Sequence, residues 1–268
     1  MNIRRIEIEE IIKNPKNYNT NNHNKVDDYN EYIIKFDSKN WIDRFHKYKK
    51  ITIEKKDIKM MYEILKLSNI NNTFPKLYME ELDELVNKYE TKYNININNN
   101  FVRTDKTSLK NGCYGINPYN NLRDIFLSML TTKFGHHAFN YNDEEINIYL
   151  LEWIKIDMDK EFRVFVVDNK ISCISQQNIY KKSEYLINHP NLNLLIENLN
   201  QYFENNIKNK LIDFQNYIMD IAIYNNDFYF IEINPFGQNY TSGSACFHWI
   251  NDNDIIYNNS IIEFRYVV

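Results

Sequence analysis

Two apolar runs near the C-terminal end, each interrupted by an acid, constrain this chain more than any other feature. The first reads Tyr217-Ile218-Met219-Asp220-Ile221-Ala222-Ile223. The second reads Phe228-Tyr229-Phe230-Ile231-Glu232-Ile233-Asn234 and is closed by Pro235-Phe236-Gly237. Asn225-Asn226-Asp227 between them supplies turn residues, so the pair predicts a β-hairpin. Folded about Asn226, the hairpin sets Asp220 opposite Glu232 and puts Asn234 on the same face as Glu232. Directly opposed carboxylates repel. Such a pair either faces water or, with the Asn, holds a hard cation through oxygen ligands, as Mg²⁺ is held together with nucleotide phosphates. Polar groups with metal-ligand chemistry inside the apolar run Ile231–Gly237 point to the second use.

The rest of the chain sets the frame around this hairpin. With 268 residues, 43% of them hydrophobic and 15% aromatic, it has material for one large domain or two lobes with a real core. Asn, Ile, Lys and Tyr dominate, a bias toward A/T-rich codons that suits a large DNA virus or an A/T-rich unicellular organism. The net charge is −4 and no long basic stripe is present, which gives no ground for a direct nucleic-acid role. Cys113, Cys173 and Cys246 are far apart and odd in number, so neither a disulfide framework nor a zinc site is expected, and a reducing compartment fits. No apolar run reaches about 18 residues and the first residues lack a signal-peptide core, so a soluble, cytoplasmic chain, read as a monomer, is expected.

Periodicity predicts strands over 49–54, 101–103, 146–154 and 261–268, and a hairpin of 162–167 with 171–175 turning at Asp168-Asn169. Helices are expected after Asp57 as N-cap, over 80–89, over 121–131 and over 190–203. The Asn-rich stretch 14–30 reads as a loose loop or linker. Hairpins mixed with inserted helices indicate an α+β fold rather than a doubly wound parallel sheet.

Two further groups carry chemistry. In Glu161-Phe162-Arg163-Val164-Phe165-Val166, Arg163 shares a strand face with Glu161 and Phe165. A cation there needs an anion, either a carboxylate of the protein or a phosphate. In Arg103-Thr104-Asp105-Lys106-Thr107-Ser108-Leu109-Lys110-Asn111-Gly112, cations, hydroxyls and a glycine after a strand suit a phosphate cradle, although this is neither a GxxxxGK[ST] loop nor a K-x-D-G motif. Together with the acidic hairpin they form the parts of a nucleotide–Mg²⁺ site built without a P-loop.

At this point the chain resembles the cell division cycle protein 123 (D123) family, a divergent ATP-grasp clade. The resemblance rests on several stretches in order: Trp41-Ile42-Asp43-Arg44-Phe45 with Ile51-Thr52-Ile53, Phe101 to Gly112, Glu161 to Val166, Ile174-Ser175-Gln176, Glu232-Ile233-Asn234-Pro235-Phe236-Gly237, Phe247-His248-Trp249 and Phe264-Arg265-Tyr266-Val267. Departures from the family pattern are Arg103 where a lysine is usual, Leu109-Lys110 for a Pro-Lys, Glu152 for a basic residue, Leu130-Thr131-Thr132-Lys133 for an L-K-S-S-D segment and Glu232 for an Asp. The resemblance implies an ATP-grasp-like α+β fold of two lobes with the nucleotide between them. On that reading, residues 1–40 form an N-terminal extension, 41–152 one lobe and 153–268 the other, with a hinge at Glu152-Trp153-Ile154.

The resemblance also implies a site. Backbone groups at Trp153 and Ile154 would meet adenine. Arg103, Lys110 and Arg163, with Lys106 as a lesser candidate, would meet phosphates. Asp220, Glu232 and Asn234 would hold Mg²⁺, so Asp220→Ala or Glu232→Ala is expected to abolish Mg²⁺-dependent ATP binding with the fold intact. The implied role is that of an assembly factor for eukaryotic translation initiation factor 2, acting through its γ subunit. The alternative is an ATP-grasp ligase that forms an acyl-phosphate and joins a carboxylate to an amine, for which no acceptor residue stands out. A nucleotidyltransferase forming a lysine–AMP adduct is a third reading.

Overall fold

In a computed structural model the structure describes residues 1–20, 26–133, 135–240 and 242–268. In chain order the strands and α-helices are β1 (Asn2–Ile6), α1 (Ile8–Lys13), α2 (Tyr29–Ile34), β2 (Tyr48–Glu54), α3 (Lys55–Asn71), α4 (Met79–Tyr93), β3 (Asn100–Thr104), α5 (Leu122–Leu130), β4 (Glu145–Glu152), β5 (Glu161–Val167), β6 (Lys170–Gln176), α6 (Glu184–Ile187), α7 (Leu192–Tyr202), β7 (Tyr217–Tyr224), β8 (Asp227–Asn234), α8 (Asn253–Ile256) and β9 (Glu263–Val267). They divide into two compact units, Asp37–Ile154 and Met1–Phe36 with Lys155–Val268. The mixed α+β character expected from the sequence is what the structure shows.

The unit Asp37–Ile154 is a three-stranded antiparallel sheet, β2-β4-β3, with helices α3, α4 and α5. The helices form because their apolar residues recur at helical spacing. Ile58, Met61, Ile64 and Leu65 of α3, Leu82, Leu85, Val86 and Tyr89 of α4, and Leu122, Ile125, Phe126, Met129 and Leu130 of α5 all join one core with Ile51, Ile53, Val102, Ile146 and Ile148 of the strands. Each such side chain contributes roughly 1.5–3 kcal/mol by leaving water. Asn72 and Asn94 end α3 and α4 in the left-handed region, which asparagine tolerates better than most residues. Asn121 begins α5, its side chain accepting from the Asp124 amide. Asp57 is not the cap of α3: Glu54 precedes the helix, and Asp57 sits in its first turn, where it accepts from Lys88 and, at 2.6 Å, from Tyr89. A carboxylate there still meets the positive end of the helix dipole.

The second unit holds a six-stranded sheet in the order β1-β9-β6-β5-β7-β8. β1 and β6 both run parallel to β9, and the remaining neighbours are antiparallel. Both hairpins turn on residues that accept positive φ, Asp168 and Asn169 (50° and 56°) and Asn225 and Asn226 (51° and 63°). Residues 1–20 are built into this unit: β1 pairs along β9, and Ile6, Ile11 and Tyr18 pack with Ile179, Ala245, Cys246 and Val267. Part of the Asn-rich stretch 14–30, residues 21–25, lies outside the described residues. On either side of it Pro15–Asn17 forms a 3₁₀ turn and Tyr29–Ile34 the helix α2.

Candidate functional site

The acidic hairpin forms with the expected register. Asp220 of β7 pairs with Glu232 of β8. On its other side Asp220 pairs with Arg163 of β5, Arg163 with Ser175 of β6, and Ser175 with Arg265 of β9. Five strands thus line up one row of polar side chains, Arg265–Ser175–Arg163–Asp220–Glu232, across the sheet.

The centre of this row is dry. Asp220 is 2% exposed. Arg163 donates from Nε to Asp220 Oδ1 at 2.9 Å and from Nη2 to Oδ2 at 2.8 Å, a bidentate pair, and from Nη1 to the Gly243 carbonyl at 2.7 Å. Burial alone would pull the Arg163 pKa down, but the charge and hydrogen bonds of Asp220, with Glu232 and Glu161 behind it, hold it above its ordinary value. Asn234 turns its Nδ2 toward Asp220 Oδ2 at 3.2 Å and Glu232 Oε1 at 3.5 Å. Two residues along the same face, Phe165 and Ile218 pack with Phe236, Phe247, Trp249 and Ile256.

Arg163, Asp220, Glu232 and Asn234 are therefore brought together. Of the two anions the sequence reading allows for Arg163, the one it faces in this structure is a carboxylate of the protein. It also changes what Asp220→Ala is expected to do, since that substitution strands a buried guanidinium at a cost of about 3–5 kcal/mol.

The donor set suits Mg²⁺, with two carboxylates and an amide whose oxygen can replace its nitrogen by a half-turn of the terminal group. Among the described residues no group of three or more His, Cys, Asp or Glu is placed to hold a metal ion. The third oxygen here would come from Asn234.

The other expected residues belong to the unit Asp37–Ile154. Arg103 is 4% exposed; its Nε donates to Ser38 Oγ at 2.8 Å and its guanidinium lies 4.6 Å from the Trp41 ring centre. Lys106 pairs with Asp143 at 3.2 Å. Lys110 is exposed, on a 3₁₀ turn at Leu109–Asn111, and lines a small pocket with Phe101, Tyr119, Ile116 and Trp153. The Trp153 amide donates to the Asn99 carbonyl, and its ring tilts against Phe101 with centres 6.4 Å apart. Ile154 is half-buried and is the last residue of this unit. The structure thus joins Lys110 with Trp153 in one pocket and gives Arg103 partners within the protein.

Several polar residues of consequence carry no clear signal in the sequence. Asp105 is held by Tyr149 Oη (2.8 Å) and by both nitrogens of Asn147 (3.0 and 3.1 Å), and only the Asn inside the apolar run of β4 hints at such a network. Arg265 is 3% exposed and paired by two bonds of 2.9 Å to Asp252, with Phe247 against its face at 4.2 Å. In the sequence it shows only as part of the stretch Phe264-Arg265-Tyr266-Val267, with nothing to point to Asp252 as its partner.

The family model described as D123 matches residues 122–268, more than half of the chain and the whole of the acidic hairpin. The chain belongs to the D123 family. Over 111 residues it is 34% identical to a protein of Candida albicans named translation initiation factor eIF2 assembly protein, a stretch that makes up 40% of this chain and 30% of that protein. Cdc123 from Schizosaccharomyces pombe has a similar structure, at 16% identity and a TM-score of 0.61, covering 89% of this chain and 97% of that one. Its C-terminally truncated form gives a TM-score of 0.60 at 14% identity. The fold of Cdc123 is therefore shared along nearly the full chain, in keeping with the α+β class expected. No helix among the described residues is long and apolar enough to cross a membrane.

Proposed function

We propose that this D123 protein binds ATP with Mg²⁺ and acts as an assembly factor for eukaryotic translation initiation factor 2, through its γ subunit, in the cytoplasm. The observation that carries the nucleotide part is the row Arg163–Asp220–Glu232 with Asn234 beside it. Two facing carboxylates repel, and with the Asn234 amide beside them they offer oxygen ligands to a hard cation. Asp220, Glu232 and Asn234 are the residues that would hold Mg²⁺, which when bound screens phosphate charge. Arg163 holds Asp220 in place through its two bonds to the carboxylate. Lys110 and Arg103 are the further phosphate candidates, and backbone groups at Trp153 and Ile154 are those for adenine. The assembly role is supported by family membership and by the name of the Candida albicans relative. ATP would then order the fold by mass action rather than be consumed.

A thermal-shift titration with ATP and Mg²⁺ beside ADP, GTP and ATP with EDTA tests the ligand. A metal-dependent rise specific to adenine nucleotides is expected; no rise with any nucleotide refutes it. Capture of the purified γ subunit by the full chain tests the partner, and absence of binding with and without ATP rules it out.

A further inference from the structure

Gly243, whose carbonyl receives Arg163 Nη1, opens a loop that is fastened from two sides. From the sheet, Arg163 donates to Gly243, Ser175 Oγ accepts from the Cys246 amide at 3.0 Å, and Arg265 pairs with Asp252. From the other side come two residues of the N-terminal segment. The Asn19 amide donates to the Ala245 carbonyl at 2.7 Å, and Asn19 Oδ1 accepts from the Ala245 amide at 3.2 Å. Thr20 donates from its amide to Ser244 Oγ at 2.9 Å and accepts from the Trp249 amide at 3.0 Å.

The clasp is tightly specified. Asn19 and Ala245 both lie in the left-handed region, with φ of 48° and 47°. Asparagine enters that region readily, but alanine does so only when its surroundings impose it. Gly243 has no room for a side chain: a Cβ there would overlap Asn19 Oδ1 and stand 3.5 Å from Arg163 Nη1. A glycine is needed so that the loop, Asn19 and the guanidinium can share one place.

We infer that Asn19 is a positioning residue for the Arg163–Asp220–Glu232 group: by fixing the Gly243–Ala245 backbone it fixes the carbonyl that aims Arg163 at Asp220. The inference rests on the nucleotide reading for its functional consequence but not for its structural one. Arg163 has three donors in use, two on Asp220 and one on Gly243. With the Gly243 carbonyl held still, the fork cannot rotate without losing a bond. With the loop loosened, it can turn and draw Asp220 away from Glu232 and Asn234. Residues 19 and 243 lie 224 positions apart in sequence, so a segment that reads as an asparagine-rich linker sets the geometry of the acidic hairpin.

The test uses the full chain and four variants. Asn19→Gly keeps the backbone conformation and deletes the acceptor, whereas Asn19→Asp keeps both. Gly243→Ala attacks the clasp from the loop and stands in should Asn19→Gly fold poorly, and Thr20→Ala, which removes only the neighbouring hydroxyl bonds, is the control. The first readout, without nucleotide, is the ¹⁵N-edited NMR signal of Arg163 Nε–H, assigned with Arg163→Lys. Asn19→Gly and Gly243→Ala should shift it and speed its solvent exchange about fivefold, as expected for the loss of one hydrogen bond, and Asn19→Asp should restore it. The second readout is ATP affinity with Mg²⁺ by calorimetry, expected to weaken by a similar factor in Asn19→Gly and to recover in Asn19→Asp. An unchanged Arg163 signal in Asn19→Gly, or in Gly243→Ala should Asn19→Gly fold poorly, overturns the inference, whatever the affinity does. A wild-type chain that binds no ATP–Mg²⁺ overturns the nucleotide reading instead, and the NMR arm still decides the role of Asn19.

Discussion

Arg163 and Asp220 face each other on β5 and β7, and the guanidinium engages both carboxylate oxygens at 2.8–2.9 Å. Both side chains are withdrawn from water, with 11% and 2% of their surface exposed. In such a pair the desolvation of each charge is offset by the other, so removing one partner costs more than the pair itself contributes. Asp220→Ala and Arg163→Ala should each destabilise by about 3–5 kcal/mol. The double replacement Arg163→Met with Asp220→Leu should cost clearly less than the sum of the singles. Urea unfolding of the four proteins gives the cycle. Additive losses would mean that the two groups do not act as a unit.

Glu232 is the better place to test the metal. It is half-buried rather than buried, and two effects oppose each other there. Its charge repels Asp220 directly across the hairpin and supports Arg163. Glu232→Gln should therefore change stability by about 1 kcal/mol or less, while the stabilisation by ATP loses its dependence on Mg²⁺. A variant as Mg²⁺-responsive as the wild type removes Glu232 from the cation site.

Asp37 should mark the acid limb of stability. Burial pushes its carboxyl up to about 6; Lys106 and Lys39 pull it back down, and Asp105 and Asp143 add to the rise. A carboxyl with a folded pKa above its unfolded value contributes stability that is complete below about pH 4 and is lost as pH rises through about 6. Asp37→Asn removes that loss. The melting temperature of the variant minus that of the wild type should climb between pH 4 and pH 7 and then level off. A flat difference would show that Asp37 titrates normally.

How far the sequence reached is clearest on the acidic hairpin. Folding it about Asn226 gives the observed Asp220–Glu232 pairing, but the structure arrives there by another route. The turn is the two-residue Asn225-Asn226, with Tyr224 opposite Asp227, and a bulge between Asp220 and Ile221 then shifts the register so that Ile221 faces Phe230 and Asp220 faces Glu232. Local turn chemistry was readable, and the bulge was not, because an extra residue on one strand leaves no mark in an apolar run. Helices α4 and α5 are legible from the period of their apolar residues. Arg103 shows the opposite case. Its position on a strand before a hydroxyl-rich loop suggests phosphate, and only the tertiary placement of Trp41 and Ser38 against it reveals internal partners. Asn19 and Arg265 share that difficulty, since their partners lie on segments that nothing local connects to them.

The first strand gives the last prediction. The sequence reads residues 1–40 as an extension, yet β1 lies parallel along β9 from Asn2–Glu263 to Ile6–Val267, and Ile6 and Ile11 are each 1% exposed. Deleting residues 1–13 removes both isoleucines from a core shared with Ile179, Cys246 and Val267 and uncovers the outer edge of β9. Each lost isoleucine costs about 2–5 kcal/mol, against a total stability of roughly 5–15 kcal/mol for a folded domain, and the bare edge is a template for pairing with another chain. The truncated protein should melt well below the full chain and scatter light on heating, and Ile6→Ala alone should lower stability by about 2–5 kcal/mol without aggregation. Thermal melting followed by circular dichroism and static light scattering separates the two effects. A truncated chain that melts with the wild type would show that β1 rests on the sheet without stabilising it.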